Sequence, residues 1–273
     1  MAFCKGGNRA LTAASGFTLV ELLVVISVLG VLAGVVVLNV IGFIGAGHDE
    51  AKAVEMKQVS TAVGAYVYEG HPLLTATTVG PGDLGILADY LTGSLQYYWG
   101  IDSDGSVHAL LFGSSFNGLD GFTVTGNWTP DGDGGLSSNG GDLLANGGNW
   151  NDFTFQTTTT FNPTDTFGMY YRSDGDGSDG YFLQYDPGTG FTVSTLTNNT
   201  VTAIAGGGPF MPPGFVAGGS HSISVSVSGS SHTISIDGAT FSFTDGTYGS
   251  GTVGLQTGAG SNVNFTGFTV SPP

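Results

Sequence analysis

An uncharged stretch near the amino terminus constrains this chain more than any other feature. From Leu22 to Ile44, 23 residues run without a charged side chain. A helix of that length crosses the hydrocarbon core of a bilayer, whereas the apolar region of a cleaved secretory signal has only about 7 to 15 residues. Lys5 and Arg9 precede the stretch, and Asp49 and Glu50 follow it. Because basic residues stay on the cytoplasmic side, the sequence predicts one membrane span with the amino terminus inside and the rest outside.

One carboxylate, Glu21, lies at the entrance of this apolar segment. A charge there is costly unless it is paired or reaches the interface. The residues Gly16-Phe17-Thr18-Leu19-Val20-Glu21-Leu22-Leu23 resemble the processing site of type IV pilins and type II secretion pseudopilins. The resemblance implies that a prepilin peptidase cuts after Gly16 and N-methylates Phe17. It also implies that Glu21 pairs with the amino terminus of a neighbouring subunit and sets the register of assembly.

The alternative is a plain signal anchor, in which Glu21 reaches the lipid headgroups. The resemblance favours the filament subunit, whose partners are the prepilin peptidase, other pilin or pseudopilin subunits and the cytoplasmic membrane. The one cysteine, Cys4, lies in the predicted leader, so no internal disulfide is expected. The lack of a disulfide departs from many pilins and favours a pseudopilin-like or atypical subunit.

The helical pattern continues beyond the apolar stretch, with apolar residues at mostly three- and four-residue steps. The predicted apolar face consists of Ala51, Val54, Val59, Ala62, Val63 and Tyr66. Gly70 and Pro72 are typical of a helix end. A short helix over 84–91 and a strand over 107–111 are predicted to follow, in a region that resembles the small head of a pseudopilin. We expect most of the apolar face to pack on that head.

Charge is distributed unevenly along the chain. All four Glu lie within the first 69 residues, and the only Lys or Arg beyond Lys57 is Arg172. The formal net charge is −16. Because such a chain repels phosphate backbones, no nucleic-acid binding is expected.

After about residue 116 the periodicity changes to two-residue steps. Short alternating segments are separated by Gly, Asn and Asp turns. Roughly ten such strands fit two packed antiparallel sheets. The order of segments resembles the concanavalin A-like jelly rolls, in particular the laminin G-like and 3-keto-disaccharide-hydrolase-like group. The resemblance rests on residues 118–128, on 168–172 followed by 180–183, and on the hairpin 224–238 that leads into Gly254 and Leu255.

The predicted fold class is therefore α+β, a long N-terminal transmembrane helix with a small pilin-like head, followed by an all-β jelly-roll sandwich. The predicted domains are a prepilin leader at 1–16, a transmembrane and assembly helix at 17–48, a stem helix and head at 49–112, and a concanavalin A-like sandwich at 116–273. The predicted location is the cytoplasmic membrane before assembly, and an extracellular filament or the cell surface afterwards.

Acidic residues cluster on glycine-containing turns, and alternating oxygen ligands on such turns suit hard cations such as calcium. The loop that begins at Asp174 is not an EF-hand, because its sixth position is Asp179 and its twelfth is Tyr185. The alternative is a solvated turn, for which Asp and Gly are equally suited. The candidate calcium ligands are Asp174, Asp176, Ser178, Asp179, Asp102 and Asp104, with a shorter version at Asp131 and Asp133.

A neutral carbohydrate is the predicted ligand of the sandwich, because aromatic faces flanked by amide and carboxylate groups suit sugars. The predicted site is the loop of Trp150 with Asn149, Asn151 and Asp152. Other available aromatic residues are Trp128, Tyr170, Tyr171 and Tyr181, for which the alternative is packing in the core.

No catalysis is predicted. A retaining glycosidase needs two close carboxylates, which are Glu in the jelly-roll enzymes that this fold resembles, and no Glu follows Glu69. His221 and His232 lie in a Ser-rich hairpin and are expected to face solvent. The prediction is therefore a filament subunit that displays a ligand-binding sandwich, and the alternative is a membrane-anchored glycoside-acting enzyme that uses the pilin-like start only for export.

Overall fold

The computed structural model describes residues 19–73, 76–116, 118–132 and 134–273, apart from the side chains of Glu21 and residues 28–49. The chain divides into two compact units, residues 1–52 and 53–273. Helix α1 covers Leu19–Tyr68, and a single 3-10 turn covers Gly85–Leu87. The strands are β1 (Thr77–Val79), β2 (Tyr98–Ile101), β3 (Val107–Leu110), β4 (Phe112–Ser114), β5 (Phe122–Val124), β6 (Trp128–Pro130), β7 (Gly135–Ser138), β8 (Gly141–Ala145), β9 (Phe153–Thr160), β10 (Phe167–Ser173), β11 (Gly180–Asp186), β12 (Gly190–Thr197), β13 (Thr200–Ala203), β14 (Ser220–Ser228), β15 (Ser231–Ile236), β16 (Ala239–Thr244), β17 (Thr252–Thr257) and β18 (Val263–Ser271).

In the first unit, the helical residues at the start of α1 carry apolar side chains that are exposed. Leu19 and Val20 are 79% and 70% exposed, and the side chains from Leu22 to Ile26 are exposed as well. Over the residues open to description, no helix is long and apolar enough to cross a membrane. Most of the predicted span at 22–44 falls on side chains outside the description.

In the second unit, one face of α1 packs on the head. Val59, Ala62 and Val63 are buried, and Tyr66 is partly buried. The predicted inclusion of Ala51 and Val54 in this face is wrong, because both are exposed. The position one helical turn before Val59 is held instead by Glu55, which is 8% exposed. Because Glu55 is polar but buried, the buried face of α1 differs from the face predicted from hydrophobicity.

The head consists of the part of α1 in the second unit and a three-stranded antiparallel sheet in the order β1-β2-β3. Its core contains Val79, Leu87, Leu95, Trp99 and Ile101, packed against the buried face of α1. The predicted helix over 84–91 is reduced to the 3-10 turn. Gly85 has a φ of 48°, and its backbone N–H donates to Asp83 Oδ1 at 2.9 Å. A left-handed residue and a side-chain hydrogen bond at this point do not fit a regular α-helix that begins at Leu84.

The rest of the chain forms a jelly-roll-like β-sandwich of two antiparallel sheets. The seven-stranded sheet has the order β13-β12-β11-β10-β17-β8-β5. The eight-stranded sheet has the order β16-β15-β14-β9-β18-β7-β6, and β4 pairs with β18. The core between them is rich in aromatic rings, among them Phe153, Phe155, Phe167, Tyr171, Tyr181, Phe265 and Phe268. The two-residue periodicity found in the sequence is the alternation of these inward side chains with outward polar ones.

Strand β4 connects the head to the sandwich. Its pairing with β18 places Phe112 opposite Val270, and the predicted boundary at 116 falls just after it. Gly113 lies beside the Thr78 side chain of β1, where a Cβ would come within 3.3 Å of Thr78 Cγ2. The absence of a side chain at Gly113 therefore lets the head sheet approach the sandwich closely.

Candidate functional site

The predicted processing residues, Gly16 and Phe17, lie outside the described residues. The backbone of Glu21 belongs to α1, but its side chain is also outside the description. Cleavage at Gly16, methylation of Phe17 and pairing of Glu21 therefore stay predictions.

The predicted calcium loop at 174–179 joins β10 to β11 and is organised by its own carboxylates. Asp174 Oδ2 accepts a hydrogen bond from Ser178 Oγ at 2.8 Å, and Asp174 Oδ1 accepts one from the Asp179 N–H at 3.1 Å. Asp176 Oδ1 accepts from the Ser178 N–H at 3.0 Å, and this bond is the main reason that the pKa of Asp176 is lowered. Asp179 Oδ1 accepts from the Asn198 N–H at 2.9 Å, which joins the loop to the β12–β13 turn.

The second predicted loop lies between β2 and β3 of the head. Ser106 Oγ lies 3.0 Å from Asp102 Oδ2 and 2.6 Å from Asp104 Oδ1. Its hydrogen bonds to Asp104 lower the pKa of that carboxyl. Asp102 Oδ2 is also 3.3 Å from His108 Nδ1. In the third loop, Asp131 Oδ1 accepts from the Gly135 N–H at 2.9 Å, and Asp133 lies outside the described residues.

These three loops share a design in which carboxylates accept hydrogen bonds from their own turn. Within the described stretches, no group of three or more His, Cys, Asp or Glu side chains is placed to hold a metal ion. Calcium binding at Asp174, Asp176, Ser178 and Asp179, or at Asp102 and Asp104, stays a prediction.

The predicted sugar site at Trp150 is part of the packing of the sandwich. The Trp150 ring is half-buried, and its centroid is 6.0 Å from that of Phe112 and 6.3 Å from that of Phe153. Its backbone exchanges hydrogen bonds with Gly251. Asn149, Asn151 and Asp152 are exposed. The structure thus brings all four predicted residues together in one loop, with the indole directed towards core aromatics, and ligand binding at this loop stays a prediction.

Arg172, which sequence reasoning did not select as a site residue, holds the Trp150 loop in place. It sits at a bulge in β10 with a φ of 44° and is 2% exposed. Nε and Nη2 donate to the Asn151 carbonyl at 2.9 and 2.6 Å, and Nη1 donates to the Tyr248 carbonyl at 3.0 Å. Asp152 Oδ1 lies 3.4 Å from Nη2. The signal was present in the sequence, because a lone Arg in an apolar strand has to be buried with partners.

The two histidines of the hairpin are buried, so the expectation that they face solvent is wrong. His221 is 8% exposed, and its ring nitrogens lie 2.7 Å from Asp237 Oδ2 and 3.1 Å from the Val216 carbonyl. His232 is fully buried, with Nε2 2.9 Å from the Asp245 carbonyl. Oxygens meet both ring nitrogens of His221. For His232 an oxygen meets Nε2 alone, because the buried Nδ1 has no hydrogen-bond partner among the described residues.

A polar cluster surrounds His232 inside the sandwich. Tyr171 and Tyr181 stack with ring centroids 5.0 Å apart, and Tyr181 Oη donates to Asp245 Oδ1 at 2.5 Å. Burial, followed by this hydrogen bond, raises the pKa of Tyr181 to about 12. Burial also lowers the pKa of His232. Tyr171, Tyr181 and Trp128 are core residues, which agrees with the packing alternative for these aromatics.

A small apolar patch lies on the outer side of the seven-stranded sheet. It consists of Leu144, Tyr170, Phe182 and Leu196. The loop at 174–179 covers it, because Gly177 lies against the Tyr170 ring, where a Cβ would be 3.3 Å from Cζ. Tyr170 Oη donates to Asp142 Oδ1 at 2.9 Å, and burial raises the pKa of this phenol. The patch is therefore a minor core beneath the predicted calcium loop.

Comparison with protein-family models identifies the amino-terminal signal. Residues 11–37 match the model of the prokaryotic N-terminal methylation motif. This match confirms the predicted prepilin-type signal and implies processing by a prepilin peptidase. A search of curated proteins finds no match.

Solved structures similar to the chain are β-rich proteins of several kinds. The carbohydrate binding module CBM66 from Bacillus subtilis is 20% identical, with a TM-score of 0.47, over 55% of this chain and 95% of that one. A Bacillus subtilis protein of unknown function with a galectin-like fold is 12% identical, with a TM-score of 0.46, over 60% of this chain and 96% of that one. Bacillus licheniformis β-glucanase is 13% identical, with a TM-score of 0.42, over 59% and 98%. At such scores these similarities carry no argument about ligand or activity.

Proposed function

We propose that the chain is a pilin-like or pseudopilin-like filament subunit that displays a ligand-binding sandwich outside the cell. The observation that carries the proposal is the N-terminal methylation motif at residues 11–37. In this proposal the prepilin peptidase cuts after Gly16 and methylates Phe17. The subunit is anchored in the cytoplasmic membrane before assembly and then enters an extracellular filament of a type IV pilus or a type II secretion system.

The exposed start of α1 supports assembly. Leu19, Val20 and the apolar residues from Leu22 to Ile26 expose most or about half of their side-chain surface. A large exposed apolar surface is a sign of a membrane or protein partner. Glu21 lies between these residues in the sequence, and a carboxylate in an apolar setting needs a cationic partner. The new amino terminus of a neighbouring subunit would supply that charge.

The head supports the same proposal, because it fixes the stem helix firmly. Glu55 Oε2 accepts from the Gln96 N–H at 2.8 Å, and Oε1 accepts from the Tyr97 N–H at 2.9 Å and from Trp99 Nε1 at 2.8 Å. Hydrogen bonds to a charged acceptor are strong and geometrically specific. These bonds hold the part of α1 that belongs to the second unit against the head.

For the sandwich we propose binding of a neutral carbohydrate rather than catalysis. The sequence contains no Glu after Glu69, and retaining glycosidases depend on a close pair of carboxylates. Calcium at the 174–179 loop would stabilise the cover of the Tyr170 patch. Addition of calcium is then expected to raise the melting temperature of the wild-type chain but not that of Asp174→Asn.

The test of the filament proposal uses two variants in cells that carry the native assembly system. Glu21→Ala is expected to be cleaved and methylated normally but to be lost from filaments, since only register depends on its charge. Gly16→Val is expected to block cleavage. Glu50→Ala, which removes an exposed carboxylate of the same helix, serves as the control and should assemble normally. Normal assembly of Glu21→Ala would contradict the role of this residue.

A further inference from the structure

A groove of about 560 Å³ lies between the head sheet and the outer face of the eight-stranded sheet. Its volume falls within the range of about 300–1,000 Å³ typical of small-molecule sites. Its lining includes Thr77, Thr78, His108, Thr158, Thr266 and Thr269. Two separate parts of the second unit thus contribute to one concave surface, the head through β1 to β3 and the sandwich through β9 and β18.

The hydroxyl of Thr78 is the strongest sign that the groove holds a ligand. Thr78 is 4% exposed, and within the described part of the chain its Oγ1 has no hydrogen-bond partner. Buried polar atoms are nearly always satisfied, so an unpaired one calls for a partner. Thr78 also lines the groove, so we take a molecule bound there as the partner of this hydroxyl.

The chemistry of the lining selects the ligand class. The threonine hydroxyls of the groove both donate and accept hydrogen bonds, as the hydroxyls of a sugar do. The carboxylate that lines the groove, Asp102, is 3.3 Å from His108 Nδ1. The His108 ring lies over Gly100, where a Cβ would come within 2.3 Å of Nε2, so this glycine makes room for it. A net charge of −16 disfavours anionic ligands.

We propose that this groove binds a short neutral saccharide and that Thr78 Oγ1 hydrogen-bonds to it. The assignment rests on the ligand-binding part of the proposed function and is independent of filament assembly. It places the ligand at the junction of head and sandwich, which is a different site from the Trp150 loop.

The first test replaces one buried hydroxyl and uses a matched control. Thr159 Oγ1 is also buried without a partner, but Thr159 does not line the groove. Thr78→Val and Thr159→Val therefore remove equivalent hydroxyls, and neither is expected to lower the melting temperature. Binding of maltotriose, cellotriose and triacetylchitotriose to the full processed chain in detergent is measured by titration calorimetry. We expect Thr78→Val to weaken binding about three- to tenfold, and Thr159→Val to leave it unchanged.

The second test fills the groove. Thr266→Trp places a large ring in it and is expected to abolish binding, whereas Thr240→Trp places the same ring on an exposed strand position of the same sheet, away from the groove. If saccharide binding is unchanged in both Thr78→Val and Thr266→Trp, the assignment of the ligand to the groove is wrong. Ligand binding elsewhere on the sandwich would then remain as proposed. No binding of any of the three saccharides overturns both the groove and the carbohydrate part of the proposed function.

Discussion

Glu55 in the head and Arg172 in the sandwich are buried side chains of opposite charge. In the head, Glu55 accepts hydrogen bonds from two backbone N–H groups and the Trp99 indole. In the sandwich, Arg172 donates to the backbone carbonyls of Asn151 and Tyr248. Each charge is thus satisfied chiefly by uncharged groups, most of them backbone, and not by a close ion pair.

The difference between the two lies in what each residue holds. Glu55 joins a helix to the segment that leads into β2, whereas Arg172 joins a strand to two loops at one end of the sandwich. An isolated buried charge is costly, and it is tolerated where hydrogen bonds replace its hydration. We therefore expect both residues to be essential for their own region, with the larger effect at the more deeply buried Arg172.

The largest effect is expected for Arg172→Met. The side chain keeps most of its length but leaves the Asn151 and Tyr248 carbonyls without their charged donor, at a cost of about 3 kcal/mol in the free energy of unfolding. Arg172→Lys keeps the charge but not the planar fork, so its loss should be intermediate. Urea unfolding measures both. Equal stability of wild type and Arg172→Met would show that the buried guanidinium does not stabilise the sandwich.

The second effect is expected for Glu55→Gln. An amide cannot accept at both of its polar atoms, so at least one of the three donors loses its partner, at a cost of about 2 kcal/mol. The NMR signal of the Trp99 indole N–H should move, because it bonds directly to Glu55. Glu50→Gln, at an exposed site on the same helix, is the control. A larger loss for Glu55→Gln than for Arg172→Met would reverse the expected order.

These two residues also show where sequence reasoning stops. The stem helix and the 221–238 hairpin follow from local periodicity and were predicted. Glu55 bonds to a residue 44 positions away, and Arg172 to one 76 positions away. Such contacts depend on how distant segments pack, which periodicity does not contain. The same reason explains why the burial of the two histidines was not predicted. The oxygens that contact the ring nitrogens of His232 and His221 come from loops and turns outside their own strands.

A third, smaller effect concerns pH and is confined to the sandwich. Burial lowers the pKa of His232 below its ordinary 6.5. The unfolded state therefore takes up a proton before the folded state does. The stability contributed by the neutral ring is fully present above pH 6.5 and is lost as the pH falls through the lowered folded pKa. The groups facing the ring are Tyr171, Tyr181, Phe243 and Asp245, with Arg172 nearby.

The measurement is the melting temperature of the sandwich between pH 7.5 and pH 5, a range that brackets the ordinary histidine pKa of about 6.5. His232→Phe should flatten the dependence, and His71→Asn, at an exposed position of the head, should not. An unchanged slope in His232→Phe would show that another group governs the response. Asp245 titrates in a lower range, because hydrogen bonds from Tyr181 and Thr247 outweigh its burial and lower its pKa.

The smallest effect is expected at an exposed carboxylate of the head. Tyr90 Oη donates to Glu69 Oε2 at 2.7 Å, and this hydrogen bond is the main reason that the pKa of Tyr90 is raised to about 12. Glu69→Gln should return the pKa of Tyr90 towards 10.0 without a measurable change in stability. NMR titration of labelled tyrosine gives the pKa. A clear loss of stability would mean that the exposed Glu69 stabilises the head as the buried Glu55 is expected to do.

The central claim is that this chain enters a filament system through its amino terminus. The most direct measurement is the intact mass and amino-terminal sequence of the protein recovered from cells with their native prepilin peptidase. The account predicts a chain that begins at N-methylated Phe17. A chain that still begins at Met1, or one cut near Ala46, would contradict it and leave an exported sandwich without a filament.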